Sequence, residues 1–213
     1  MDYKIAIPSH NRIDILNKKT YNLLISNGIN ENQIDIFVAP DQVESYKKAF
    51  PKSNIIKSKL GFIPNKRFLH SYYKDGTKLI TMDDDVSKIV QLENDKIINV
   101  KSLKNLINKM FEELSKNKFR LAGLYPVANS MFMKNAQPIT KDLRFIYAPF
   151  RAFINDPKLL PNYEGPEDYE ITLLYYLKYG GVLRFNKFSL VADYETSKSI
   201  IKKDDREKSK KLF

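Results

Sequence analysis

Three adjacent carboxylates, Asp83-Asp84-Asp85, follow directly on an apolar run, Leu79-Ile80-Thr81-Met82. Neighbouring carboxylates repel and raise one another's pKa, so a cluster of this kind calls for a counter-cation. Hard oxygen donors on a partly hydrated site suit Mg2+ or Mn2+. The apolar run reads as a buried strand of a parallel sheet, and open α/β sheets bind their ligands beyond the carboxyl ends of such strands. The stretch therefore points to a metal-dependent enzyme handling a phosphorylated substrate. The plainer alternative is a strand that ends in a solvated acidic turn.

A second acidic focus is Glu164-Gly165-Pro166-Glu167-Asp168. Proline opens helices and acidic residues favour a helix amino terminus, so capping chemistry alone accounts for it locally. Together the two foci permit more. Sugar transfer from a nucleotide sugar needs the leaving diphosphate neutralised, which a divalent metal does as a Lewis acid. It also needs a carboxylate to take the acceptor hydroxyl's proton as that oxygen attacks an oxocarbenium-like centre. On this chemistry Asp83 and Asp85 hold the metal, and Asp84 supports the site or contacts the ribose. Asp168 is the base, with Glu167 its rival.

The elements that must position these groups follow from periodicity. Tyr3 to Ile7 reads as a strand closed by Pro8, followed by the polar turn Ser9-His10-Asn11-Arg12 and an amphipathic helix over 13–27 stopped by Gly28. Ile34 to Val38 is a second strand. Asp41, three residues before Glu44, either caps the next helix or touches the nucleotide. Ile55-Ile56 is a third strand, and Gly61 to Arg67 turns into a helix with Asn65, Lys66 and Arg67 in its first turn, where cations make sense beside an anion. The order to residue 85 is thus β-α-β-α-β-α-β, a parallel sheet covered by helices. Beyond it a hairpin is predicted around Glu93 to Lys96, a helix over 102–116, and strands of a mixed sheet within 120–154, including Phe145 to Phe150. A loop is predicted from Lys134 to Pro138, a helix from Pro166 to Gly180, and a closing strand region from Val182 to Ala192.

Composition narrows the class. A chain of 213 residues with 43% hydrophobic and 29% charged side chains is sized for one soluble α/β domain. The absence of cysteine excludes disulfides and thiolate metal sites. The amino terminus enters a strand at once, with no signal-peptide pattern, and no apolar run is long enough to span a bilayer, so a cytoplasmic location without membrane insertion is expected. The net charge of +11 favours a polyanionic partner such as nucleic acid.

In this order, Ile-Pro-Ser-His-Asn-Arg (7–12), the Gly61-to-Arg67 turn, Met82-Asp83-Asp84-Asp85 and Gly165-Pro166-Glu167-Asp168 resemble the motifs of inverting GT-A glycosyltransferases over roughly residues 3–195. The compact size and the Phe37-Val38-Ala39 strand before a short helix look most like the branch associated with TET/JBP-type base hydroxylases, many of them viral. That resemblance implies a GT-A-like single domain over 1–197, with a Rossmann-like parallel sheet continuing into a mixed sheet. Its nucleotide-sugar half is about 1–90 and its acceptor half about 91–197, with a basic tail over 198–213. It also implies Mn2+ or Mg2+, a UDP-sugar donor, and glucosylation of a hydroxymethylated pyrimidine in DNA. Carried over position by position, Pro8, Ser9, Asn11 and Arg12 border the nucleotide, Lys66 and Arg67 face the donor, Asp83 and Asp85 the metal, and Asp168 the acceptor hydroxyl. Many such enzymes add a late histidine to the metal. Here the only histidines, His10 and His70, precede the triplet, so Asp193, Glu195 or water fills that position. His10 is expected beside the nucleotide or solvent, and His70 to be structural. Tyr125, Phe132, Tyr147, Phe150 and Tyr163 are candidates to stack on a base.

Overall fold

A computed structural model describes residues 2–162 and 167–192. The expectations for Tyr163, Glu164 to Pro166, Asp193, Glu195 and the tail over 198–213 fall outside the described residues. The strands are β1 (Lys4–Pro8), β2 (Ile34–Val38), β3 (Asn54–Lys57), β4 (Lys78–Met82), β5 (Val86–Glu93), β6 (Lys96–Asn99), β7 (Leu121–Leu124), β8 (Ile139–Thr140), β9 (Phe150–Ile154), β10 (Leu183–Phe185) and β11 (Phe188–Ala192). The main helices are α1 (13–26), α2 (Val43–Ala49), α3 (Phe62–Tyr72), α4 (Leu103–Asn117), α5 (Ser130–Asn135) and α6 (Glu167–Tyr179).

Among the described residues an eight-stranded sheet runs β3-β2-β1-β4-β9-β7-β10-β8. Its first four strands are parallel, and β9 lies antiparallel between β4 and β7. A small antiparallel sheet, β11-β5-β6, stands beside it. The acidic triplet is the turn by which the chain leaves β4 of the large sheet for β5 of the small one. The result is the expected α/β class, a largely parallel mixed sheet.

Alternation along each strand sends side chains to two cores. Ile5, Ile7, Ile36, Val38, Ile80 and Met82 join the apolar stripe of α4 (Leu103, Leu106, Ile107, Met110, Phe111 and Leu114) on one face. Ala6, Phe37 and Leu79 face Leu69 of α3 and Ile171 and Tyr175 of α6 on the other. Each large side chain so buried contributes on the order of 1.5–3 kcal/mol. One buried charge interrupts β2: Asp35 accepts from the Tyr73 hydroxyl at 2.6 Å and from Asn54 Nδ2 at 2.7 Å, which offsets its desolvation.

Four local expectations need correction. The 145–150 run joins the sheet only at Phe150, because Pro149 has no N–H to donate and its carbonyl instead accepts from Asp83 N at 3.2 Å. The loop expected from Lys134 begins after Asn135, where the short helix α5, capped at its start by the Asn129 side chain, gives way to extended backbone at Ala136. The closing strand region is two strands, β10 in the large sheet and β11 in the small one. Asp41 sits exposed in a 3-10 turn over Pro40–Gln42 and makes no side-chain cap.

His70 is structural, as expected. It lies buried on α3, its Nδ1 is 3.2 Å from Asn155 Oδ1, and its ring meets Phe153 edge-on. Burial, helped by the nearby Arg151 charge, pushes its pKa down to about 4 from 6.5. The folded chain thus binds fewer protons than the unfolded chain between those values. Stability is full above pH 6.5 and falls as pH drops toward 4, by about 3 kcal/mol from this residue. Because the raised Asp84 carboxyl acts with the opposite sign over the same window, the check is a difference: in urea titrations the stability of wild type relative to His70→Gln should fall as pH drops from 6.5 to about 4.

Candidate active site

The triplet is held by cations and hydroxyls from three elements. Arg12, at the start of α1, donates from Nη1 to Asp84 Oδ1 at 2.6 Å and from Nη2 to Asp85 Oδ2 at 2.9 Å. Ser9 Oγ donates to Asp84 Oδ2 at 2.7 Å. With its single proton so used, Ser9 accepts from the Tyr46 hydroxyl, 2.8 Å away. Lys66 Nζ lies 3.3 Å from Asp83 Oδ1. Burial raises the Asp84 carboxyl to about 7 against the pull of Arg12 and Ser9, and burial also raises Asp85.

The turn's backbone is fixed from α1. A single π-helical turn, Asn17–Tyr21, brings Thr20 inward, where its hydroxyl donates to Asp83 O at 2.7 Å and accepts from Val86 N at 2.9 Å. Such turns recur at functional sites. Thr20→Val keeps the shape and strands both backbone groups, so it should cost about 1–3 kcal/mol in urea denaturation.

Glu167 and Asp168 are neighbours in different circumstances. Glu167 is fully enclosed, accepting from Arg151 Nη1 at 3.1 Å and Nη2 at 3.0 Å, with Lys66 Nζ at 3.4 Å. Burial alone would raise its pKa, but Arg151 and Lys66 hold it at about 2. A carboxylate so weakly basic and so enclosed is a poor proton acceptor. Asp168 is only half-buried, and burial followed by the Glu167 charge raises its pKa. The rivalry left open by the residue types is thus weighted toward Asp168.

The other predicted residues are spread around this centre. Pro8 ends β1. Asn11 takes a left-handed backbone (φ 54°), and its N–H donates to Gln42 Oε1 at 2.9 Å. Arg12 and Asn11 line a cavity of about 230 Å3 with Tyr46 and Ser45. His10 Nδ1 is 2.8 Å from Gln42 Nε2. Arg67 donates to Pro161 O at 3.2 Å and to the Asn162 side chain. Asp41 has no contact with the cluster in the described hydrogen bonds and ion pairs. Phe150 is fully buried and is not available to stack on a base, whereas Phe132 is half exposed. A larger cavity, about 850 Å3, is lined by Lys4, Asn54 and Lys78. Those residues start β1, β3 and β4, so it lies at the amino ends of the strands and is remote from the triplet.

Sequence reasoning missed Arg151, Thr20, Tyr46 and Gln42. Arg151 did carry a signal: a lone arginine between Phe150 and Ala152-Phe153-Ile154 demands a buried anion.

Metal fit can be judged from exposure. The Asp83, Asp84 and Asp85 side chains are 32%, 5% and 15% exposed. Asp84 is turned inward onto Ser9 and Arg12, leaving Asp83 and Asp85 on either side of it. Among the described residues no three His, Asp or Glu side chains form a metal cage. Two carboxylates completed by phosphate oxygens and water are nevertheless how Mg2+-type ions are commonly held. The carboxylates of the triplet and Glu167 face Arg12, Lys66 and Arg151, and the Lys19 charge also acts on Asp85.

No protein-family model matches the sequence, and no curated protein matches it. Solved structures do match in fold. A mannosyltransferase, PcManGT from Pyrobaculum calidifontis in complex with GDP-Man and Mn2+, superposes with a TM-score of 0.60 at 10% identity, over 92% of this chain and 58% of that one. S. aureus TarS, residues 1–349 in complex with UDP, superposes with a TM-score of 0.53 at 12% identity, over 89% of this chain and 60% of that one. The chain has a GT-A-like fold and spans less than two thirds of the length of either structure.

Proposed function

We propose that this chain is a metal-dependent glycosyltransferase that moves a sugar from a nucleoside diphosphate sugar to a hydroxyl acceptor. One observation carries the reading: at the carboxyl end of β4, the partly exposed carboxylates Asp83 and Asp85 share one turn, and Asp83 is joined through Lys66 and Glu167 to the helix start that bears Asp168. The fold likeness to proteins holding GDP-Man with Mn2+ and UDP supports it.

Asp83 and Asp85 would hold Mn2+ or Mg2+, which when bound supplies Lewis-acid neutralisation of the leaving diphosphate. Asp84 orients the triplet through Ser9 and Arg12. Arg12, Ser9 and Asn11 border the nucleotide at the β1–α1 turn. Asp168 takes the acceptor hydroxyl's proton as that oxygen bonds to the anomeric carbon and the carbon–diphosphate oxygen bond breaks. A base separate from the leaving group favours inversion.

The acceptor class we favour is DNA carrying a hydroxymethylated pyrimidine, with UDP-glucose as donor, in the manner of the TET/JBP-associated branch. The motif order and the net charge of +11 support it, since a basic chain gains affinity for a phosphate backbone by counterion release. The test is a donor screen with Mn2+ on hydroxymethylated and ordinary DNA, with Asp85→Asn as control. Mass gain of one sugar on the modified DNA alone, lost in the control, is the expected result. Donor hydrolysis without DNA modification would move the acceptor to glycan, lipid or protein. No turnover of any donor would overturn the enzyme reading.

A further inference from the structure

Lys66 is 3% exposed yet divides one ammonium between two carboxylates, Asp83 Oδ1 at 3.3 Å and Glu167 Oε1 at 3.4 Å. The two ends differ in freedom. Asp83 belongs to the donor-side turn and is a third exposed, whereas Glu167 is enclosed, clamped by both Nη atoms of Arg151, and precedes Asp168. Arg151 stands on β9 opposite Thr81 of β4. The row Asp83, Lys66, Glu167, Arg151 therefore closes on itself through the β4–β9 strand pair. Nothing in the proton transfer requires Lys66, and a surface position would have served a lysine that merely attracts phosphate.

We infer that Lys66 is a positioning residue that couples the metal-and-donor turn to the helix bearing Asp168; the inference rests on the metal role proposed for Asp83. Without a divalent cation, Lys66 holds Asp83 and competes with the metal. With Asp83 engaged by a divalent cation, the Lys66 ammonium would be left to Glu167 and would firm the start of α6 beside Asp168. Such a coupling is reciprocal. Removing the Glu167 charge leaves Lys66 to Asp83 alone and weakens the metal. Removing the Lys66 charge frees Asp83 and tightens the metal, but breaks the link to Asp168.

A plain electrostatic field would give the same signs, so the test is a double-mutant cycle read by Mn2+ binding in the presence of UDP. Titration calorimetry on the full chain serves, with thermal melts confirming that each variant is folded. Glu167→Gln should weaken Mn2+ about fivefold or more in the wild-type background and by less than about twofold when Lys66→Met is present. Lys66→Met alone should bind Mn2+ more tightly and yet lose kcat without a rise in donor KM, a combination that a merely structural lysine would not produce. Lys66→Gln repeats the cycle should the methionine variant not fold. Mn2+ binding with additive effects of the two substitutions overturns the coupling and leaves the glycosyltransferase reading standing. No Mn2+ uptake by the wild-type chain overturns the metal role of Asp83, and the coupling with it.

Discussion

Asp168→Asn should lower sugar transfer by about 10²–10⁴-fold, the usual contribution of a positioned general base, with binding of UDP and Mn2+ nearly unchanged. The substitution keeps the side chain's size and leaves the Arg151–Glu167 clamp beside it intact, so the loss belongs to proton transfer and not to folding. The pH dependence follows from the same surroundings. Burial and the Glu167 charge raise the Asp168 pKa, so its carboxylate is a stronger base than an exposed one and is ready only above that raised value. Transfer should therefore fall on acidification at a pH above the ordinary aspartate value of about 3.9. Glu167→Gln removes the neighbouring anion and leaves Arg151 less neutralised, so it should move the acid limb to lower pH. A loss of donor affinity in Asp168→Asn, with the rate of bound substrate unaltered, would take the base role from this residue.

Arg151→Met should destabilise the fold by about 3–5 kcal/mol, the usual cost of removing one partner from a buried ion pair. Arg151 is wholly enclosed, and both its Nη atoms are committed to Glu167. Lys66 remains within 3.4 Å of Glu167, but one ammonium shared with Asp83 does not replace a bidentate guanidinium. Urea denaturation of the single variant and of Arg151→Met with Glu167→Met separates the causes. The double variant should recover much of the loss, because an apolar pair no longer strands a buried charge. Equal stability of the single variant and wild type would mean that the clamp contributes nothing net.

The β-α repeat up to residue 85 was legible because a parallel sheet imposes short apolar runs and its helices impose a 3.6-residue period. The prediction failed where one residue's backbone chemistry decides the matter. Pro149 keeps the apolar run before it out of the ladder, and Asn129 caps a short helix that takes in the first two residues of the expected loop. The triplet and the Glu-Asp pair stood out as charge clusters in sequence. Their surroundings did not: that Glu167 is enclosed by Arg151 and Lys66 while Asp168 is half-buried could not be read from two adjacent acidic residues. Arg151, Lys66 and Thr20 reach the site from separate elements, and each partnership spans a distance in sequence that no local pattern encodes. Thr20 falls on the helical spacing of α1 with Leu16 and Leu23, which says nothing of its hydroxyl, and the π-helical turn brings that hydroxyl onto the backbone of Asp83 and Val86.

The antiparallel insertion of β9 bears on the order in which the chain folds. β1, β2, β3 and β4 are joined by nearby crossovers, whereas Thr81 of β4 pairs with Arg151, seventy positions farther on. Closing so long a loop costs entropy before its contacts repay it. The βα units up to residue 82 are thus placed to assemble first, and Arg151, Glu167 and Lys66 give up their water only when β9 docks on β4. A row formed on the late side of the barrier acts as a latch on the finished molecule: Arg151→Met should speed unfolding and leave the folding rate nearly untouched, which stopped-flow unfolding and refolding rates would check.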